Sequence, residues 1–228
     1  MSESGSRTSR TRLPRAERVQ QILGAAARAF ARSGYAATSM DEIAAEAGIS
    51  KLMIYRDFEG KRRLYEAILE SAERRLNQLV AGDPQKGASD QGLVALLRLA
   101  REQPDGFKLV FQQAAREPEF AAYADRFADE AIRTGERRLA EEIRDPAALH
   151  WAARVSFRLS IEAVIAWLEV GDPARDEAFL SALRTLTGQP GRLAHDLAHA
   201  QPEPQPQSQA QDPDPSPQQH QDQGGTPA

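Results

Sequence analysis

The chain has 228 residues, 41% of them apolar, no cysteine and a formal charge of −4. A real core is therefore within reach, while disulfides, zinc–thiolate sites and thiol catalysis are excluded. The charge is unevenly spread: residues 1–65 hold 12 Lys and Arg against 7 Asp and Glu, and residues 66–228 hold 17 against 26. That is the asymmetry expected when one end meets phosphates.

No apolar run approaches the roughly 20 residues of a membrane span. The arginines of MSESGSRTSRTRLPR have no apolar segment behind them, so a secretory signal is not expected and the cytoplasm is the default location.

Residues 1–14 are rich in Ser, Arg and Thr without periodicity and read as a flexible basic arm. A helical pattern follows, with Val19, Ile22, Leu23, Ala26, Ala27 and Phe30 on one face and Gly34 as its stop. Thr38 or Ser39 caps a second helix over about 39–46, with Asp41 or Glu42 placed for a capping box and Met40, Ile43, Ala44 and Ala47 facing inward. Gly48 breaks it. Ser50 caps a third helix over about 50–57 that buries Ile54 and Phe58. A fourth, about 60–80, carries Leu64, Ile68 and Leu76. Gly82-Asp83-Pro84 then marks a module boundary.

The remainder to about residue 198 again reads as helix, in segments 88–102, 105–115, 118–143, 146–170 and 174–187, punctuated by prolines near first helical turns. No strand-length alternation occurs, so the fold is expected to be all-α: a small N-terminal helix-turn-helix domain and a larger C-terminal helical domain over 84–198. Residues 199–228 form a tail rich in Gln and Pro. Such a composition buries too little apolar surface to offset chain entropy, and disorder is expected.

Two short helices joined at Ala47-Gly48-Ile49-Ser50 have the dimensions of a helix-turn-helix; a purely structural corner has the same geometry. The residues narrow the choice. Gly34-Tyr35-Ala36-Ala37-Thr38-Ser39-Met40-Asp41-Glu42-Ile43-Ala44, Ala47-Gly48-Ile49-Ser50-Lys51, Ile54-Tyr55-Arg56-Asp57-Phe58, then Lys61 and Leu64-Tyr65 closely resemble the DNA-binding domain of the TetR family of regulators, over about residues 15–76.

The resemblance implies roles. Thr38 and Ser39 correspond to a phosphate-contacting start of the second helix, Ser50 and Lys51 to the start of the recognition helix, and Tyr55 to a tyrosine that meets the DNA backbone. Lys61 corresponds to a phosphate-contacting lysine opening the fourth helix, and Arg56 completes the DNA-facing set. Leu52, Met53 and Asp57 depart from the usual Gly, Thr and His. Leu52 and Met53 are apolar at groove-facing positions, which suits contact with thymine methyls; burial against the fourth helix is the alternative. Asp57 would repel phosphate if it faced the duplex, and pairing with Arg56, Lys61 or Arg62 would avoid that. Arg7, Arg10, Arg12 and Arg15 suit a minor groove or phosphates, or simply a solvated tail.

The same resemblance implies a homodimer, an operator in double-stranded DNA, and a small-molecule effector that releases a repressor from that operator. Segments 146–170 and 174–187, with Leu183 among the apolar residues, are the expected dimer seam. Phe107, Phe111, Gln112, Tyr123, Phe127, Trp151, Arg154, Arg158 and Glu162 are pocket candidates, with an ordinary core and an Arg158–Glu162 pair as the alternative. A constitutive DNA binder without effector is the competing reading, favoured by a solid C-terminal core. No cofactor is expected. His195 and His199 have helical metal-ligand spacing but no third ligand beyond Asp196. An enzyme is disfavoured, because no Gly-rich phosphate loop or clustered His and carboxylate set is present.

Overall fold

The computed structural model describes residues 14–81 and 88–199. The expected arm before Pro14, the 82–84 boundary and the tail beyond His199 lie outside the described residues. Among those described, all regular structure is helical.

Helix α1 (Arg15–Ala37) is interrupted near its end by Gly34, at φ 77°. That left-handed conformation is costly for residues with a Cβ. Helix α2 (Met40–Ala47) starts from Ser39, one of the two candidate caps, whose Oγ accepts the N–H of Glu42 at 3.1 Å. It stops at Gly48, at φ 64°, where the N–H of Ile49 reaches back to the carbonyl of Ala44 at 3.1 Å. That is the six-to-one bond of a glycine-terminated helix. Helix α3 (Lys51–Asp57) follows immediately. The Ser50 hydroxyl, expected to cap it, makes no capping bond; the Ser50 carbonyl instead accepts the N–H of Met53 at 2.9 Å.

Helix α4 (Lys61–Ala81) leads to α5 (Ala88–Glu102) and α6 (Pro104–Lys108). The expected continuous helix over 105–115 is instead three short pieces: α6, a π-helical turn at Leu109–Gln113 and a 3₁₀ turn at Ala114–Arg116. The single widened turn carries Phe111 and Gln113.

Helix α7 (Ala121–Leu139), α8 (Pro146–Val170) and α9 (Asp176–His199) complete the fold. The start of α8 is set by Asp145, whose carboxylate accepts the N–H of Ala148 at 2.7 Å, and by Pro146 in the first turn. The last helix passes the expected stop at 187 and runs on to His199. Tertiary packing explains the difference: Ala194 is buried against Ile143, Ala148 and Ala152, and that contact holds the helix beyond its local breakers.

One continuous apolar core runs from Ile22 in α1 to Leu183 in α9. Where the two halves meet, Phe30, Tyr35, Tyr65 and Phe120 pack ring against ring, with Tyr65 stacked on Phe120 at 4.2 Å and Tyr35 edge-on to Phe120 at 4.9 Å. Each such pair contributes about 0.5–1.5 kcal/mol beyond its buried area. The N-terminal module is therefore seated on the larger half by an aromatic joint. No described helix is long and apolar enough to cross a membrane.

Candidate nucleic-acid interface

Helix α3 is seven residues long and is anchored by one buried side chain, Ile54. Its free face carries Leu52, 79% exposed, together with Tyr55, Arg56 and Lys51. Leu52 thus points outward and is not buried against α4. Met53 is half-buried. Ser39 and Ser50 are exposed at the starts of α2 and α3. Lys51 Nζ lies 2.8 Å from Asp41 Oδ2, a hydrogen bond that raises the lysine pKa. Both partners are substantially exposed, and such pairs are worth at most about 1 kcal/mol. A phosphate could therefore replace Asp41 at little cost.

Two expected phosphate contacts are engaged elsewhere. The Thr38 side chain is buried, and its hydroxyl donates to the carbonyls of Gly34 at 2.7 Å and Ala29 at 3.2 Å. Lys61 Nζ donates to the carbonyls of Tyr35, Ala36 and Thr38 at 2.8, 3.2 and 3.1 Å, and sits 4.5 Å from the centre of the Tyr35 ring. An ammonium has three donors, and all three are used. Both residues satisfy the orphan carbonyls around the α1 break.

Asp57 is also placed differently from expectation. Its partners are Arg18, bonded through Nε at 2.8 Å and Nη2 at 3.3 Å, and Arg15, bonded through Nε at 3.2 Å. The Arg18 hydrogen bonds, followed by those from Arg15, hold the carboxyl below its ordinary range. The carboxylate is 2% exposed, covered by the two guanidinium groups. Gln21 Nε2 donates to the Ala47 carbonyl at 2.8 Å and ties α1 to the end of α2. An acid among basic residues is the signal the sequence offers for such a pair, but the Arg18 partnership spans 39 residues, beyond local patterning.

The C-terminal pocket candidates come together only in part: Phe107, Phe111 and Phe127 pack on one another, whereas the α8 candidates lie apart. Phe107 is fully buried and packs on Phe111 at 4.5 Å, which in turn meets Phe127 at 5.4 Å and Phe157 at 6.4 Å. Tyr123 donates its hydroxyl to Glu73 of α4 and lies under Arg126. Trp151, Arg154, Arg158 and Glu162 are exposed on α8 and do not join the aromatic group. Helical spacing identified a shared face but not which side of the helix bundle it covers. A groove of about 330 Å³ lies at the junction of the halves, between Leu23, Gly24 and Ala27 of α1, Ile68 of α4, and Gln103–Gly106 at the start of α6.

Residues 22–68 match the family model described as bacterial regulatory proteins of the tetR family. The chain carries a TetR-family module. The match spans the whole of α2 and α3 and the buried face of α4 as far as Ile68. A curated relative, the HTH-type transcriptional activator FasR of Mycolicibacterium smegmatis, is 38% identical over 120 residues, covering 49% of this chain and 53% of FasR. The chain thus matches about half the length of that relative.

Among solved structures, a TetR-like regulator from Rhodococcus sp. RHA1 superimposes with a TM-score of 0.67 at 24% identity, over 83% of this chain and 100% of that one. AibR, solved with isovaleryl coenzyme A and operator DNA, gives 0.56 at 19% identity, over 75% and 97%. At these identities the two structures speak for the fold of the C-terminal half alongside the TetR-family module.

Proposed function

We propose that the chain is a sequence-specific DNA-binding transcriptional regulator that reads the major groove with α3 and acts as a homodimer. The observation that carries this reading is the outward presentation of Leu52, Tyr55, Arg56 and Lys51 on a short helix fixed from behind by Ile54. An apolar residue beside cations suits methyl contact flanked by phosphate contacts. The dimer reading rests on α8 and α9, which expose Trp151, Val170 and Leu186; Leu183, placed in the seam by sequence, is 1% exposed within the single chain and belongs to its core.

Repression is the expectation from sequence, whereas the FasR relative is named an activator. Both act through the same binding step, and a reporter carrying the selected site assigns the sign. Two readings of control remain distinct. The junction groove favours an effector that wedges α1 and α4 against Gln103–Gly106 at the start of α6 and shifts the population of head positions. The closed packing of Phe107, Phe111 and Phe127 favours constitutive binding. AibR, with its coenzyme A ester and operator, supports the first by analogy of fold.

The test is equilibrium binding of the full chain to duplex DNA across salt, with mass by light scattering. The proposal expects dimers whose affinity falls steeply with salt, by about 0.9 log units per log unit for each phosphate contact. Monomers without duplex affinity would overturn it.

A further inference from the structure

We infer that Asp57 is a positioning residue that holds Arg15 as a preformed phosphate contact at the edge of the recognition helix. This rests on the DNA-binding reading above. Asp57 is the last residue of α3 and directly follows the exposed Tyr55 and Arg56. Its carboxylate turns away from the free face and receives two guanidinium groups from α1. The two are not equivalent. Arg18 is 8% exposed and takes a fork-like pair of bonds, so it neutralises the buried acid. Arg15 is 77% exposed and gives Asp57 only its Nε–H.

Both Nη groups of Arg15 therefore make no hydrogen bond among the described residues, and the triad carries one net positive charge on that exposed fork. The Gln21–Ala47 bond fixes the same stretch of α1 to the turn before α3, so the fork moves with the recognition helix. A planar guanidinium held by one edge presents its other edge for paired bonds to phosphate oxygens, which a lysine cannot reproduce. Holding it in advance removes part of the side-chain ordering that binding otherwise requires.

The experiment measures affinity of the full chain for a random-sequence duplex and for its own selected site, across salt. Arg15→Gln is expected to weaken both several-fold and to reduce the salt slope by about 0.9 per protomer. Arg15→Lys keeps the charge and is expected to recover less than half of that loss. Asp57→Asn raises the net charge, so unpositioned electrostatics expects tighter binding. The inference expects weaker binding, and no further effect of Asp57→Asn in the Arg15→Gln background.

Equal binding by Arg15→Lys and the wild type, tighter binding by Asp57→Asn, or additive effects would overturn it. Arg15 is exposed, so its two variants decide the question alone should Asp57→Asn fail to fold. If the wild type does not bind duplex, the DNA-binding reading fails; if it binds and Arg15→Gln binds equally with the same slope, only this inference fails.

Discussion

The main-chain N–H of Tyr35, one residue beyond the α1 break, donates to Oε1 of Glu117 at 3.2 Å. This bond and the Tyr35–Phe120 and Tyr65–Phe120 ring contacts join the DNA module to the larger half. Any signal between the halves through this side of the molecule must cross that joint.

Phe120→Ala is expected to cost about 3–5 kcal/mol, as for other buried aromatic truncations. It should also uncouple the halves. Both tryptophans, Trp151 and Trp167, lie in the C-terminal half. Thermal unfolding by tryptophan fluorescence and by far-ultraviolet circular dichroism should coincide in the wild type and separate in the variant. Coincident transitions at an unchanged midpoint would show that the joint is not structural.

Lys61→Met removes the cation that serves three carbonyls at the α1 break. Leaving those acceptors unpaired should cost about 1–3 kcal/mol of stability. The salt slope of DNA binding, measured on the folded variant, should be unchanged. A slope lowered by about one unit with no loss of stability would restore Lys61 as a phosphate contact.

The contrast with Ser39 and Gly48 shows what was legible in the sequence. A hydroxyl three residues before Glu42 and a glycine at a helix end act over one turn, so the sequence narrows the cap to Thr38 or Ser39 and marks Gly48 as the stop, because their partners are local. Lys61 and Thr38 carry side chains whose type suits either phosphate or a protein partner, and Asp57, which would repel phosphate, suits any of several nearby cations. The partners of Lys61 and Asp57 are 23 to 26 and 39 to 42 residues away; those of Thr38 are only 4 and 9 residues back but depend on the break of α1 at Gly34. The bend at Gly34 decides for Thr38 and Lys61, and the reach of Arg15 and Arg18 from α1 decides for Asp57. The length of α9 was hidden for a related reason: Gly188 and Pro190 argue locally for a stop, and the burial of Ala194 outweighs them.

Leu183 and Leu186 separate core from dimer seam. Leu183→Glu places a carboxylate in the core of the single chain and should unfold it, at a cost of several kcal/mol. Leu186 is 46% exposed; Leu186→Glu should leave the helix content intact and yield monomers by light scattering. A folded Leu186→Glu dimer would move the interface away from this part of α9.

Asp176 ties three helices together. Its carboxylate accepts Arg101 Nη2 at 2.7 Å and Trp167 Nε1 at 2.7 Å, and the Arg101 bond holds its pKa below the ordinary value. A depressed folded-state pKa stabilises above the unfolded carboxyl range, about 3.9, and that contribution disappears as pH falls through the folded value. Asp176→Asn should lower stability at neutral pH and flatten the acid limb below about pH 5, read through the fluorescence of Trp167. An acid limb identical to that of the wild type would show that the pair does not report on folding.

On the DNA-binding reading the free face of α3 reads DNA sequence. The most direct test is selection of binding sites from a randomised duplex library by the wild type and by Leu52→Ala, whose side chain is too exposed to alter the fold. The wild type is expected to enrich two related half-sites about one helical turn apart, and Leu52→Ala to lose preference at one or two base pairs in each half-site while keeping its affinity for random duplex. An identical motif from both proteins, or no enrichment by the wild type, would contradict it.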